Sequence, residues 1–217
     1  PVIGLSFDGT GFGTDGNIWG GEVLLARYDG FERLAYLAPT AMPGGAAAIK
    51  EPWRMAISYL HNTYGMELLN HKLAFLDGLN SNQIMITTQM IEKGVNSPQT
   101  TSLGRFFDGI AALMNIRSKV AFEGQAAMEL EMLAPGLSDD VYEYAWSSQE
   151  GYQIDPRPII QGVVIDIENG TSNAMISAKF HTTLINLFGD LCRILKHETG
   201  ISQVALSGGC FQNAILF

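Results

Sequence analysis

Val204-Ala205-Leu206-Ser207-Gly208-Gly209-Cys210-Phe211-Gln212-Asn213 is the stretch on which the reading of this chain turns. The apolar run Val204–Leu206 predicts a buried strand, and the apolar stretch Ala214–Phe217 predicts the start of a helix. Between them two glycines occupy a strand-to-helix switch, where the missing Cβ lets a ligand approach the backbone. A helix N-terminus behind them would offer unpaired N–H groups and a dipole that favours a nucleotide's negative charge. A second glycine cluster, Asp8-Gly9-Thr10-Gly11-Phe12-Gly13, follows the strand-like Val2–Phe7. Two such loops predict a nucleotide held between two edges of a cleft.

Outward from these loops the chain reads as alternating strands and helices. Val2–Phe7, Trp19–Tyr28 and Phe31–Leu37 predict three strands, with a loop over Asp8–Ile18 and a hairpin turn at Asp29-Gly30. A helical segment is expected from around Ala46–Pro52, because Trp53, Ala56, Ile57, Leu60 and Tyr64 share one helical face and Gly65 suits its end. Shorter helices are expected over Glu67–Leu76 and Gln83–Lys93, then a loop over Asn96–Thr101. Leu103, Phe106, Phe107, Ile110, Leu113 and Met114 predict an amphipathic helix capped by Thr101 or Ser102. Another helix is expected over Gln125–Leu133, a strand over Val141–Trp146, a turn around Asp155-Pro156-Arg157-Pro158, and one long helix over Ser172–Glu198. The whole of 1–217 is expected to be part of one domain. It would have antiparallel strands near 2–37, a mostly helical insert near 46–134 and a second strand/helix part near 141–217.

Composition narrows the class. With 217 residues, 47% of them hydrophobic and 16% charged, the chain can bury a sizeable core, and its 24 glycines fit a compact α/β enzyme. The net charge of −9 argues against phosphate-driven nucleic-acid binding, so no nucleic-acid partner is expected. Cys192 and Cys210 do not make a disulfide framework, no secretory leader is recognisable and no apolar run approaches a membrane span. A cytoplasmic protein without membrane contact is expected. The opening at Pro1 and the stop inside Ala214–Phe217 read as a piece of something larger.

Several residues could carry chemistry. Backbone N–H groups of Asp8–Gly11 could cradle phosphate oxygens and Asp8 could hold a metal bound to them, but the same loop could be a plain hairpin turn. Lys50 and Arg54 lie near a helix start, where cations oppose the dipole, and so could serve an anionic ligand. The competing reading is a solvated ion-pair network around Glu51. Gly104, Arg105 and Asp108 share the face opposite the apolar stripe. A first-turn glycine permits close approach and Asp108 could bind ribose hydroxyls, or Arg105 and Asp108 could be a surface pair. Glu123 could reach a base or ribose, or be a favourable first-turn anion. His61, His71, His181 and His197 lack metal-ligand spacing, and no metal ligand set is expected within the chain. Cys210 reads as a small packing residue rather than a nucleophile.

Taken together, these segments resemble the carbamoyltransferases of NiFe-hydrogenase maturation, the HypF family. The resemblance rests on Phe7-Asp8-Gly9-Thr10-Gly11, Trp19-Gly20-Gly21-Glu22, Pro43-Gly44-Gly45, Lys50–Ala56, Gly104–Asp108, Phe122–Glu129, Phe180-His181 and Leu206–Asn213, in family order across nearly the whole chain. It implies an incomplete actin/Hsp70/sugar-kinase-like ATPase fold of the α/β class, with RNase H-like lobes. It also implies ATP and carbamoyl phosphate as substrates, carbamoyl-adenylate as intermediate, and transfer of the carbamoyl group to the C-terminal cysteine of HypE. By position, Asp8, Gly9, Thr10 and Gly11 would face phosphates, and Gly104, Asp108, Glu123, Gly208, Gly209 and Asn213 would line the adenosine pocket. Asp8, Lys50 and Arg54 are the expected catalytic set. The family's divalent metal would be held mostly by residues outside this chain, so the chain alone is not expected to complete the reaction. The alternatives are a tRNA threonylcarbamoyl-transfer enzyme of the same fold and a non-catalytic partner-docking module.

Overall fold

Alternating apolar residues make the first strand, β1 (Val2–Phe12): Ile3, Leu5 and Phe7 turn into the core, and their neighbours do not. In the computed structural model, which describes residues 1–148 and 151–217, β1 pairs antiparallel with β2 (Ile18–Arg27), and β2 with β3 (Gly30–Leu37). The expected loop over Asp8–Ile18 is shorter, because β1 runs on to Phe12. Between Phe7 and Gly11 it carries two more residues than β2 spans, so Asp8–Thr10 bow out of the ladder.

β4 (Thr40–Ala41) leads to α1 (Ala46–Lys50) and then to α2 (Trp53–Tyr64), which ends at Gly65. The predicted helix over Glu67–Leu76 is instead a 3-10 turn, Gly65–Asn70, followed by α3 (Ala74–Asp77). The reason is tertiary: the Glu168 carboxylate accepts the Lys72 N–H at 3.0 Å, which holds the chain extended between the two pieces. α4 (Ser81–Lys93) opens on an Asn80–Gln83 capping box. A short β5 (Gln99–Thr100) lies within the expected loop and pairs with β4 and β2. α5 (Leu103–Leu113) starts at Ser102, whose hydroxyl accepts the Arg105 N–H, and α6 (Gln125–Leu133) has the predicted bounds.

Of the predicted strand Val141–Trp146 only its end pairs, as β6 (Ala145–Ser147), because the Tyr142 N–H donates to Thr183 Oγ1 rather than to a neighbouring strand. β7 (Tyr152–Asp155) runs into α7 (Arg157–Glu168), so the expected turn at Asp155–Pro158 is a strand-to-helix step. Its prolines stand before and within the first turn, where no intrahelical N–H is lost. α8 (Asn173–Thr199) is the long helix, capped by Ser172 and closed by Gly200. β8 (Val204–Ser207) pairs parallel with β1. It is not the buried strand expected: Val204 and Leu206 are 46% and 43% exposed. A 3-10 turn, Gly209–Gln212, follows it, and Ala214–Leu216 form a turn rather than the predicted helix start.

The eight strands form one mixed sheet, β8-β1-β2-β3-β7-β6, with β5 and β4 continuing beside the start of β2. α2 and α5 pack on each other, and α8 lies behind α5 through aromatic edges. Phe180 meets Phe106 and Phe107 at ring-centroid distances of 5.4 and 5.2 Å. No described helix is long and apolar enough to cross a membrane.

Candidate functional site

The bow in β1 faces the first turn of α5, and the two backbones nearly touch. A Cβ on Gly104 would lie 2.8 Å from Gly9 Cα, so this first-turn glycine answers a packing need. Ser102 reinforces the junction by donating its hydroxyl to the Asp8 carbonyl at 2.6 Å. α6 and the turn after β8 complete the walls of a cavity of about 720 Å³. Its apolar lining includes Phe107, Ala127, Met128 and Met132. Polar and backbone groups come from Asp8, Gly9, Arg105, Glu123, Glu131 and Gly209.

Of the residues singled out from sequence, Asp8, Gly9, Gly104, Glu123, Gly209 and Asn213 converge on this cavity. Thr10, Gly11, Gly208 and Asp108 are not on its wall, although Asp108 lies directly behind it. Lys50 and Arg54 are elsewhere. Arg54 Nε pairs with Glu51 Oε2 at 2.6 Å, Lys119 approaches the same carboxylate at 3.5 Å, and Lys50 makes no ion pair among the described residues. Arg54 therefore sits in an ion-pair network around Glu51, but with Lys119 rather than Lys50 as the second cation.

Arg105 and Asp108 correct the sequence reading most sharply. They are not a surface pair: each is only 2% exposed. Burial outweighs the attraction of Arg105 and pushes the Asp108 carboxyl up to about 6, with Glu123 adding to the rise. An unfolded aspartate titrates near 3.9, so the folded state holds this proton more tightly and stability falls as pH rises from about 4 to about 6. The expected loss across that window is on the order of 2–3 kcal/mol. Asp108→Asn is expected to flatten that part of the curve of melting temperature against pH, whatever it does to absolute stability. An unchanged slope would assign the ionisation to another group.

Asn213 has both ends of its amide in use. Its Oδ1 accepts the N–H groups of Ile215 and Leu216, each at 3.0 Å, and its Nδ2 donates to His181 Nε2 at 2.9 Å. His181 Nδ1 donates to the Ser177 carbonyl at 2.8 Å, and burial lowers its pKa, keeping it neutral. His181 is thus a satisfied core histidine that fixes the turn after β8. Burial and the nearby Asp8 push the Cys210 thiol up to about 12, which fits a packing role. Among the described residues no three metal-ligating side chains converge. The carboxylates lining this cavity do not by themselves make a divalent-metal centre.

A family model described as "Carbamoyltransferase, Kae1-like Domain, second subdomain" matches residues 4–217. The chain belongs to the carbamoyltransferase HypF family. Carbamoyltransferase HypF of Synechocystis sp. is 37% identical over 230 residues, covering 99% of this chain and 29% of that protein. HypF of Rhodobacter capsulatus is 37% identical over 216 residues, covering 99% of this chain and 27% of its own. The chain therefore spans under a third of these curated relatives. A solved structure of full-length HypF in the phosphate- and nucleotide-bound form matches with a TM-score of 0.92 at 42% identity, over 99% of this chain and 33% of that one. HypF of T. kodakarensis matches with a TM-score of 0.86 at 33% identity, over 99% of this chain and 29% of that one. These neighbours agree with the mixed α/β sheet of the actin/Hsp70/sugar-kinase-like fold read from the HypF resemblance.

Sequence reading missed the apolar wall and Arg105 as part of the cavity. Met128 and Met132 stand four apart and half or more exposed on α6, a pattern that could have marked an uncovered apolar face.

Proposed function

We propose that this chain supplies one side of an adenylate-binding cleft in a HypF-type carbamoyltransferase. The observation that carries the reading is the mixed lining of the cavity, in which Ala127, Met128 and Met132 of α6 and Phe107 of α5 supply apolar surface while the β1 bow, Arg105 and the turn after β8 supply backbone and polar groups. The methionines and Ala127 suit the faces of a purine, and Glu123 at the rim suits ribose hydroxyls. The bowed Asp8–Gly9 backbone and Gly209 suit the phosphate end. The relative solved with phosphate and nucleotide supports ATP as the nucleotide source.

In this reading, carbamoyl phosphate loses inorganic phosphate to water, and the carbamate oxygen then bonds to the α-phosphorus of ATP as pyrophosphate leaves, giving carbamoyl-adenylate. The sulfur of the HypE C-terminal cysteine then bonds to the carbamoyl carbon, the carbon–oxygen bond to phosphate breaks, and AMP leaves as the thiol proton passes to solvent. The protein acts in the cytoplasm and meets HypE as its macromolecular partner. Asp8 stands at the phosphate end, with its Oδ1 accepting the Gly9 N–H at 2.8 Å.

The test is an NMR titration of the chain with AMP and ATP. Weak binding is expected, with shifts concentrated at Gly9, Gly104, Ala127, Met128 and Gly209. Shifts confined to the second hollow, about 470 Å³ between Thr40, Trp146 and Arg157, would overturn the assignment. So would the absence of any shift.

A further inference from the structure

Arg105 is the one cation on the cleft wall among the described residues. It occupies the first turn of α5, where the helix dipole disfavours positive charge, and it is only 2% exposed. Its Nη1 lies 2.9 Å from Asp108 Oδ2, yet neither Nη1 nor Nε makes a hydrogen bond among the described residues. Nη2 stands 3.6 Å from Glu123 Oε1, beyond hydrogen-bond reach. A guanidinium carries five donors, and leaving them unmet when buried is costly. Nη1 and Nε are shielded from the cavity, so the donor that faces it is Nη2, which stands beside Gly9 and Glu123 and makes no hydrogen bond among the described residues.

The surroundings say which kind. A Cβ on Gly9 would come within 2.9 Å of Arg105 Nη2, so glycine at the bow keeps the approach to the guanidinium open. The other charged groups on the wall are Asp8, Glu123 and Glu131. Asp8 already accepts its neighbour's N–H, and Glu131 Oε1 accepts the Ala214 N–H at 2.8 Å. An anion entering the cleft therefore meets favourable charge at one point, the Nη2 end of Arg105.

We propose that Arg105 is the phosphate contact of this cleft, its Nη2 donating to a non-bridging oxygen of the adenylate. The proposal rests on the adenylate reading above. It places a fixed cation where negative charge gathers on AMP as the carbamoyl carbon–oxygen bond breaks.

The experiment compares AMP with adenosine by titration of the native chain, Arg105→Met and the double variant Arg105→Met/Asp108→Asn. The double variant removes both buried charges and so guards against loss of folding in the single one. Native protein is expected to prefer AMP by about tenfold or more, a preference that shrinks with added salt. Both variants are expected to lose the preference while adenosine affinity stays within about twofold. A preference that persists in the folded double variant, or its absence in the native chain, would overturn the role of Arg105 and leave the adenylate reading standing. Native protein that binds neither compound would overturn that reading itself.

Discussion

Gly208→Ala is expected to destabilise the protein by about 3 kcal/mol or more, whereas Gly209→Ala is expected to leave the fold intact and weaken nucleotide binding. Gly208 has φ +102°, a conformation L residues rarely adopt, and a Cβ there would sit on the Phe7 carbonyl. Because β8 runs parallel to β1, relieving that clash would disturb the pairing of the two strands. A loss of this size corresponds to roughly 6–12 °C in melting temperature for a chain of this length. A Cβ on Gly209 meets only Asp8 Oδ1, at 3.4 Å, an ordinary contact distance. Its stability cost should stay below about 1 kcal/mol. That Cβ would project beside Asp8 into the cleft, and the dissociation constant for AMP should rise about tenfold or more, a loss of roughly 1.4 kcal/mol or more. Thermal melts and AMP titrations of both variants decide the matter. Equal thermal losses would show that both glycines serve packing, and unchanged AMP affinity in Gly209→Ala would move the phosphate away from this turn.

The second large effect is expected at Phe180. Its fully buried ring meets Phe106 and Phe107 edge-on, at interplanar angles of 74° and 80°. Phe107 in turn lines the cavity, so α8 supports the cleft through this aromatic seam. Phe180→Ala removes a fully buried ring and leaves a void, a change that costs about 3–5 kcal/mol. Phe180→Met keeps most of the volume and should cost less than about 1.5 kcal/mol. Denaturant melts would check both values. A loss below about 1 kcal/mol for the alanine variant would mean that α5 and α8 do not depend on this seam.

Much of the secondary structure is legible locally because its causes are local. The alternation in Val2–Phe7, the Ser102 and Ser172 caps and the Gly65 and Gly200 ends all act within a turn or two of the residues they organise. Errors occur where a distant residue intervenes. Glu168 reaches the Lys72 N–H and divides a predicted helix. Thr183 takes the Tyr142 N–H and withdraws it from a predicted strand.

The same division runs through the site. Sequence alone determined where the two glycine clusters lie, the helices α5, α6 and α8 and, through an ordered set of motifs, the HypF family. Only the tertiary structure decided what each residue does. Arg105 and Asp108 have the spacing of any exposed helical pair, and burial alone turns them into a costly charge pair, with Arg105 on the cleft wall and Asp108 behind it. Gly208 and Gly209 are identical letters, and only the position of the Phe7 carbonyl makes one a packing glycine and leaves the other facing the cavity. Lys50 and Arg54 looked like anion contacts because a helix start disfavours positive charge, but Lys50 ends α1, where the dipole favours a cation, and the fold supplies Arg54 with Glu51 and keeps both cations off the cleft. Periodicity and capping are properties of neighbours along the chain. Depth, open donors and steric room depend on atoms that are distant in sequence and adjacent only in the folded protein.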